Sequence, residues 1–275
     1  SFSRHRPFRI RKKYDLWHSL NQNTKIEPYY DIPYVLTVHD VNFLEEQSGD
    51  MTHERNVRFQ NKLNRSHAIT YISNFAKKST HDFFKVPNVN EYVIYNGNPV
   101  IEINIPTFYK PKTFSTKPFL FSIGEFTTRK NFHSLVEMLA YLPEYNLILS
   151  GNNNTDYAKT ILTQTIKHLN LEHRVLITGK ISELDKHYYF QHCDGFVFPS
   201  LREGFGIPPI EAMRFGKPVF LSNNTSLPEI GADLAFYWNN FEPKYMASII
   251  ENGISLYNKN KEILSQQYID HAKSF

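Results

Sequence analysis

A single cysteine, Cys193, among 275 residues excludes an intrachain disulfide framework and suits a reducing compartment. Its thiol reads as a small buried hydrophobe rather than a nucleophile. Long hydrophobic runs are missing too, none approaching the about 18–20 residues that cross a bilayer. The basic N-terminus is not followed by the apolar stretch of a signal peptide, so the chain is expected to be soluble or at most held at a surface. No Gly-x-Gly-x-x-Gly follows any strand-like run, which argues against a nicotinamide-dependent dehydrogenase. There is no Asp-x-Asp, the twelve histidines are scattered, and no His/Cys spacing fits zinc. Neither a metal nor a cofactor is therefore expected. Internal repeats and low-complexity tracts are absent, and without a recognised nucleic-acid module no nucleic-acid partner is expected.

What is present is unevenly charged. Residues 1–117 hold 17 Lys/Arg against 11 Asp/Glu, a net +6, whereas residues 118–275 hold 14 against 16, a net −2. Much of the excess lies in Arg4, Arg6, Arg9, Arg11, Lys12 and Lys13, interleaved with Phe2 and Phe8. Such a stretch can lie on an anionic membrane surface, where each cation contributes about 1 kcal/mol. It can equally be a solvated end segment.

The length suits two domains, each able to bury its own core. Short apolar runs alternate with stretches of helical period, the pattern of α/β layers with parallel strands. The expected strands are Tyr14–Trp17, Tyr34–Val38, Ala68–Ile72 and Tyr92–Tyr95, then Phe119–Ile123, Asn146–Ser150, Arg174–Thr178, Gly195–Phe198, Val219–Leu221 and Leu234–Tyr237. Helices are expected over about 50–65 and 74–84 in the first half. Ser73-Asn74 opens the latter as an N-cap, and Gly97 after Tyr95-Asn96 serves turn geometry. Four prolines between 98 and 118 mark a linker at about 98–117. It divides a first domain at 1–113 from a second at 118–275.

The most informative stretch is Glu203-Gly204-Phe205-Gly206-Ile207-Pro208-Pro209-Ile210-Glu211. It sits between the strand-like Gly195–Phe198 and the helix-like Ala212–Phe215. Paired prolines are tolerated at a helix start, so the pattern is strand, tight loop, helix. A Gly-x-Gly turn opening a helix presents backbone N–H groups to an anion. A carboxylate in the first helical turn accepts hydrogen bonds from sugar hydroxyls. Together these predict a pocket for a phosphorylated sugar ligand. Ser122-Ile123-Gly124 through Thr128-Arg129-Lys130-Asn131 supplies cations after another strand, where an open α/β sheet presents its crevice.

This stretch, with Phe198-Pro199-Ser200-Leu201-Arg202 before it and Gly216-Lys217-Pro218-Val219 after it, resembles the signature of the retaining GT-B glycosyltransferases of glycosyltransferase family 4. That family carries two glutamates seven residues apart at this place. The likeness covers 118–238 and, more weakly, 14–98. It implies an α/β GT-B fold, two Rossmann-like domains facing a cleft, with the first domain acceptor-binding and the second donor-binding. It also implies transfer of a hexose from a nucleotide diphosphate sugar to a saccharide or lipid-linked acceptor hydroxyl, with retention and without a metal. By resemblance Lys130 meets the diphosphate with Arg129 as helper, and Glu211 grips the ribose. Glu203 orients the donor sugar, while the amides of Gly204, Phe205, Gly206 and Ile207 meet hydroxyls and phosphate. Gly179 and Lys180 line the base. His39, ending Val35-Leu36-Thr37-Val38, matches a histidine that faces the site, and His18, Asn21 and Gln22 stand toward the acceptor. Where many relatives have an arginine after the glycine, this chain has Glu125.

The same likeness implies that the first domain is incomplete and that the chain is cut at both termini. It places the protein in the cytoplasm, at the inner membrane face if the basic stretch binds lipid, in cell-surface polysaccharide or glycolipid assembly. Two rivals share the architecture: a nucleotide-sugar epimerase, and a non-catalytic nucleotide-sugar-binding subunit, the latter suggested by Glu125.

Overall fold

A computed structural model describes residues 10–46, 50–100, 102 and 104–275, with the side chains of Glu45 and Glu46 left aside. Phe2, Arg4, Arg6, Phe8 and Arg9 lie outside the described residues. The chain divides into two units, Ser1–Asn96 with Glu203–Phe205, and Gly97–Arg202 with Gly206–Phe275.

The first unit holds β1 (Trp17–Ser19), β2 (Tyr34–Val38), α1 (Phe43–Glu46), α2 (Glu54–Arg65), β3 (Ala68–Tyr71), α3 (Asn74–Phe83) and β4 (Asn90–Val93). Its sheet is parallel throughout, in the order β1-β2-β3-β4. The expected first strand, Tyr14–Trp17, is displaced: Tyr14 and Leu16 are exposed, and pairing begins where the Trp17 N–H donates to Pro33 O at 2.9 Å. At the other edge the ladder starts at Asn90, two residues before the expected Tyr92. Ser73 caps α3 as expected, its Oγ accepting from the Ala76 N–H at 2.9 Å. On α2, Phe59 and Leu63 turn into the core, and the buried Lys62 pairs with Glu27 at 3.0 Å. Glu27 also holds Arg65 at 3.1 Å.

In the second unit the elements are β5 (Phe119–Ile123), α4 (Phe132–Leu139), β6 (Asn146–Ser150), α5 (Thr163–His168), β7 (Val175–Gly179), α6 (Glu183–His192) and β8 (Gly195–Phe198). They continue with α7 (Ile207–Arg214), β9 (Val219–Ser222), α8 (Leu227–Gly231), β10 (Phe236–Trp238), α9 (Pro243–Lys259) and α10 (Lys261–Lys273). The six strands are parallel in the order β10-β9-β8-β5-β6-β7. From β5 the chain winds outward through β6 and β7, then returns to β8 and winds the other way. This is the doubly wound Rossmann order, and its reversal lies between β5 and β8. The central strands are near-continuous apolar runs, Phe119–Ser122 and Gly195–Phe198 being buried throughout with Ser122 their one polar residue. Phe121, Phe190 and Phe196 meet with ring centroids 5.2–6.0 Å apart, contacts that each add about 0.5–1.5 kcal/mol beyond area burial. Cys193 is buried and its thiol is pushed up to about 12 by that burial, which fits an inert hydrophobe.

Most of the linker belongs to this unit. The Asn98 Nδ2–H donates to Ala272 O at 3.0 Å, the Tyr109 hydroxyl to Asp185 Oδ1 at 2.5 Å, and Asn146 Nδ2–H to Ser115 Oγ at 2.9 Å. The Tyr189 hydroxyl donates to Thr113 O. The expected strand at Leu234 begins only at Phe236, because Ala232–Leu234 winds as a 3₁₀ turn.

Candidate nucleotide site at the strand reversal

At the carboxyl ends of β5 and β8 the sheet opens, because the loops that follow these strands leave in opposite directions. The loop after β5 carries Gly124, Glu125, Arg129 and Lys130. The loop after β8 runs from Pro199 to Gly206. Arg129 fastens one to the other: its guanidinium Nη1 donates to Arg202 O at 2.6 Å, and its own carbonyl accepts from the Leu201 N–H at 2.8 Å. Arg129 is thus committed to holding the loops, a duty its place in the sequence did not reveal.

Lys130 ends a single 3₁₀ turn, Thr128–Lys130, and is buried, with 8 % of its surface exposed. Its Nζ stands 4.5 Å from the centre of the Phe198 ring, a cation–π distance. A Cβ built on Gly124 would meet Lys130 Cε at 3.2 Å, so the glycine makes room for the ammonium. An ammonium withdrawn from water at a sheet opening is an electrostatic resource for an anion. Glu125 is exposed beside it.

Glycine also sets the next layer of the site. Gly151, after β6, has φ +133°, and a Cβ there would stand 1.8 Å from Gly124 O. Only glycine lets the two loops come this close. Its N–H donates to Gly179 O at 2.8 Å, which ties the end of β7 to the same edge. Gly179 has φ +73°, and Lys180 after it is exposed.

The helix α7 begins at Ile207 after Gly206, whose φ of +130° is open to glycine alone. Pro208 and Pro209 occupy its first turn, as expected, and have no N–H to present. The start of this helix therefore offers the N–H groups of Gly206 and Ile207. Glu211 is the fifth residue of α7, which corrects the expectation that it lies in the first turn. Its carboxylate, 6 % exposed, accepts from Lys186 Nζ at 2.7 Å, the partner that burial of a carboxylate demands. Lys186 also holds Glu183 at 2.8 Å. Burial works against its charge, but hydrogen bonds and charge from Glu183 and Glu211 outweigh it and lift its pKa above the ordinary lysine value. Ile123, Gly124, Gly151, Lys180, Ile181, Glu183, Lys186, Pro208 and Glu211 line one open pocket of about 330 Å³. Of these, Gly151, Ile181, Glu183 and Lys186 escaped the sequence reading. Gly151 carried a signal, a glycine directly after a strand-like run; Lys186 carried none, since its partner is 25 residues away.

Glu203, Gly204 and Phe205 group with the first unit. There a Cβ on Gly204 would stand 2.4 Å from His39 O, and the Ser73 hydroxyl donates to Gly204 O at 2.7 Å. The rings of Phe205 and Tyr95 lie 5.8 Å apart. His39 follows β2 and donates on both sides: its backbone N–H to Gln22 Oε1 at 3.0 Å, and its Nε2 to Leu20 O at 2.9 Å. A carbonyl only accepts, so Nε2 carries a proton. Gln22 completes the bolt by donating to Asp40 O at 2.7 Å. His18 Nε2 meets Thr37 Oγ1 at 2.8 Å, and Asn21 Oδ1 accepts from the Asn23 N–H at 2.8 Å. Thus His18, Asn21, Gln22 and His39 share the β1–β2 edge: His18 bonds across to β2, while the bonds of Asn21, Gln22 and His39 fix the loop after β1.

Among the described residues no three His, Cys, Asp or Glu converge as a metal cluster. No helix there is long and apolar enough to cross a membrane.

The family model described as Glycosyl transferases group 1 matches residues 106–273, well over half of the chain. The chain belongs to that family. It is 30% identical over 187 residues to an O-antigen chain mannosyltransferase, RfbU, of Salmonella typhimurium, a match covering 68% of this chain and 50% of that one. It is 37% identical over 116 residues to O-antigen chain mannosyltransferase B of Escherichia coli, covering 40% and 30%. The chain thus spans about half the length, or less, of the curated relatives it matches. Among solved structures, HepE of Anabaena in complex with UDP and glucose superposes with a TM-score of 0.74 at 22% identity, covering 95% of this chain and 73% of that one. Sucrose-phosphate synthase from Thermosynechococcus elongatus gives 0.71 at 19%, covering 95% and 69%. These neighbours share the fold, which is GT-B, two Rossmann-like α/β units as the resemblance implied.

Proposed function

We propose that the protein whose chain this is transfers a hexose from a nucleotide diphosphate sugar to an acceptor hydroxyl, with retention and without a metal, in cell-surface polysaccharide or glycolipid assembly. The observation that carries the reading is the buried Lys130 at the strand reversal, beside the glycine loops and the start of α7. O-antigen mannosyltransferase relatives support the polysaccharide context, and the UDP and glucose bound by HepE support a nucleotide sugar donor.

In this reading Lys130 neutralises the diphosphate, and the N–H groups of Gly204, Phe205, Gly206 and Ile207 meet phosphate and sugar hydroxyls. Arg129 contributes by holding the two loops. Glu211 accepts from the ribose hydroxyls while Lys186 anchors it, and Gly179 and Lys180 border the base. Glu203 orients the donor sugar. His39 offers Nδ1 toward the acceptor, with His18, Asn21 and Gln22 around it. Catalysis is then positioning and electrostatic stabilisation as the nucleoside diphosphate leaves.

The test is calorimetric titration with UDP-, GDP- and ADP-sugars. One nucleotide class binds tightly to the wild type and binding is lost in Lys130→Ala; equal binding by both removes Lys130 from the phosphate site. In the full-length parent, Glu203→Gln lowers kcat at least tenfold with little change in donor affinity, as expected of an interaction made mainly in the transition state. Unchanged kinetics would refute that assignment. The exposed Glu125, in place of the family arginine, favours a second reading, a binding subunit without turnover; donor binding by a parent that consumes no acceptor would establish it.

We extend the reading to the cytoplasmic side of a membrane. Arg11, Lys12 and Lys13 stand 5.3, 5.3 and 5.7 Å from the ring centres of Tyr29, Tyr14 and Tyr30, a basic and aromatic surface suited to anionic headgroups. Co-sedimentation with phosphatidylglycerol vesicles should fall on raising the salt and on replacing the three cations by glutamine. Salt-independent or equal binding would contradict it.

A further inference from the structure

The first unit has a concavity of its own, about 290 Å³, between α2 and the loop that joins β1 to β2. Neither the candidate nucleotide site nor His18, Asn21, Gln22 and His39 contribute to its lining. Among the described residues four cations line it, Lys25, Arg58, Lys62 and Arg65, against two carboxylates, Glu27 and Glu54. On α2 the spacing gathers them: Glu54, Arg58, Lys62 and Arg65 recur at intervals of four, four and three residues, which puts them on one helix face. The fold accounts for one pair only. Lys62, 3 % exposed, meets Glu27 at 3.0 Å and donates to Thr24 O at 2.7 Å and Ser19 Oγ at 3.1 Å, partners for all three of its protons. The same Glu27 carries Arg65 at 3.1 Å, and that guanidinium stands 4.5 Å from the centre of the Tyr34 ring. One mostly buried carboxylate thus serves two cations. Arg58 and Lys62 are a like-charged i, i+4 pair, an arrangement that destabilises a helix. Burial, aided by repulsion from Arg58 and Arg65, holds the Lys62 pKa below the ordinary lysine value against the pull of Glu27. Cations gathered against one another in a concavity serve an anion better than they serve the fold.

We infer that this pocket binds a phosphate monoester, held by Arg58 and Arg65 with Lys25 beside them. The inference is independent of the nucleotide reading. A phosphate monoester carries about −1.5 to −2 charges at pH 7, the complement of a lining with two cations in excess. Planar guanidinium groups bond phosphate oxygens two at a time, and a lysine adds a point charge. Arg65 is already held by Glu27 and Tyr34, so it loses little freedom on binding. A carboxylate supplies one charge and a neutral sugar none, so neither balances the lining. The volume exceeds that of a phosphate group and leaves space for its carrier, whose hydroxyls Asn61 in the same lining is able to meet. The ester is either soluble or the headgroup of a lipid. The Ile10 N–H donates to Glu27 O at 3.1 Å, and the surface of Arg11, Lys12 and Lys13 follows directly in the chain, so a lipid bearing the ester would meet both.

Calorimetric titration of the intact chain with glycerol 3-phosphate, and with glycerate as a carboxylate carrying one charge, tests this. Glycerol 3-phosphate should bind at least about tenfold more tightly than glycerate, the difference expected of an added charge-assisted hydrogen bond. Replacing Lys25 and Arg58 together by glutamine should weaken it by about tenfold or more, which places the ester in this pocket rather than at Lys130. Lys25 is exposed, so Lys25→Gln alone leaves the fold undisturbed and should weaken binding about threefold even if the double variant folds poorly. Vesicles separate the two sources. Phosphatidylcholine vesicles carrying phosphatidic acid, whose headgroup is a monoester, are compared in co-sedimentation with vesicles carrying phosphatidylglycerol, a diester, at equal surface charge. Preference for phosphatidic acid that is lost in the variants assigns the site to a lipid headgroup. Binding of glycerol 3-phosphate without that preference assigns it to a soluble ester. Equal affinity for glycerol 3-phosphate and glycerate, binding unchanged in folded variants, or neither glycerol 3-phosphate binding nor a phosphatidic acid preference would overturn the site.

Discussion

Under the proposed function Glu211 and Lys186 meet two demands with one contact. A carboxylate with 6 % of its side chain exposed needs a cation to be buried at all, and a nucleotide pocket needs a carboxylate held in a fixed place. Stability and binding separate these duties. Lys186→Met leaves Glu211 buried without its cation and should cost about 3 kcal/mol, the lower end for breaking a buried pair because Lys186 keeps some exposure. Combining it with Glu211→Leu should restore most of that loss, since an apolar pair of similar volume fills the same space. The double variant should nevertheless bind nucleotide at least tenfold more weakly than the wild type. Thermal melts and titration on both variants provide the check: recovery of stability together with full binding would make Glu211 a structural residue only. Gly151 illustrates the opposite case at this scale, a residue whose whole contribution is a missing side chain 1.8 Å from a neighbouring carbonyl.

Among the elements, α6 joins the linker to the pocket. Its N-cap Ser182, its third residue Asp185 and the linker's Tyr109 form one hydrogen-bonded group, and the next residue is Lys186. Burial works against the Asp185 carboxylate, but hydrogen bonds from Tyr109 and Ser182 outweigh it and lower its pKa. A carboxyl whose folded pKa is depressed contributes stability above its unfolded pKa, and that contribution is lost as pH falls through the folded value. Tyr109→Phe should therefore lower the melting temperature slightly near pH 7, by up to about 1 kcal/mol in free energy given the partial exposure. The gap from the wild type should close below about pH 4, the ordinary aspartate range. The absence of a gap at any pH would show that the ring, which phenylalanine keeps, and not the hydroxyl, holds the linker.

These elements also show what could be read in one dimension. Phe119–Ile123, Asn146–Ser150 and Gly195–Phe198 appear in the structure with the expected bounds, because strands covered on both faces carry near-continuous apolar runs, here broken only by Ser122 within β5 and by Asn146 and Ser150 at the ends of β6. Edge strands were read less well: β1 and β4 each have one open side, and hydrogen bonding rather than hydropathy decides where they begin. The loops carrying Lys130 and Gly204–Gly206 were legible from glycine and proline placement. Arg129's hold on Arg202 and Lys186's hold on Glu211 were not, since each pairs residues brought together only by the doubly wound sheet.

For the molecule as a whole, the strand order of the second unit is the deciding fact. Sheet order β10-β9-β8-β5-β6-β7 puts the reversal beside Gly124, Lys130 and the start of α7, whereas the first unit's order β1-β2-β3-β4 runs without a reversal among the described residues. The basic excess lies in residues 1–117 and a slight acidic excess in the remainder, a boundary about twenty residues beyond that of the two units. Under the proposed function the diphosphate is met by a local arrangement rather than by a net field, the buried Lys130 with the loop amides. The most direct measurement is a crystal structure of this chain with a nucleoside diphosphate sugar. The account predicts the diphosphate against Lys130 Nζ and the Gly206–Ile207 amides, with the ribose on Glu211. A nucleotide lodged elsewhere, or Lys130 left without contact to phosphate while the ligand is bound, would contradict it.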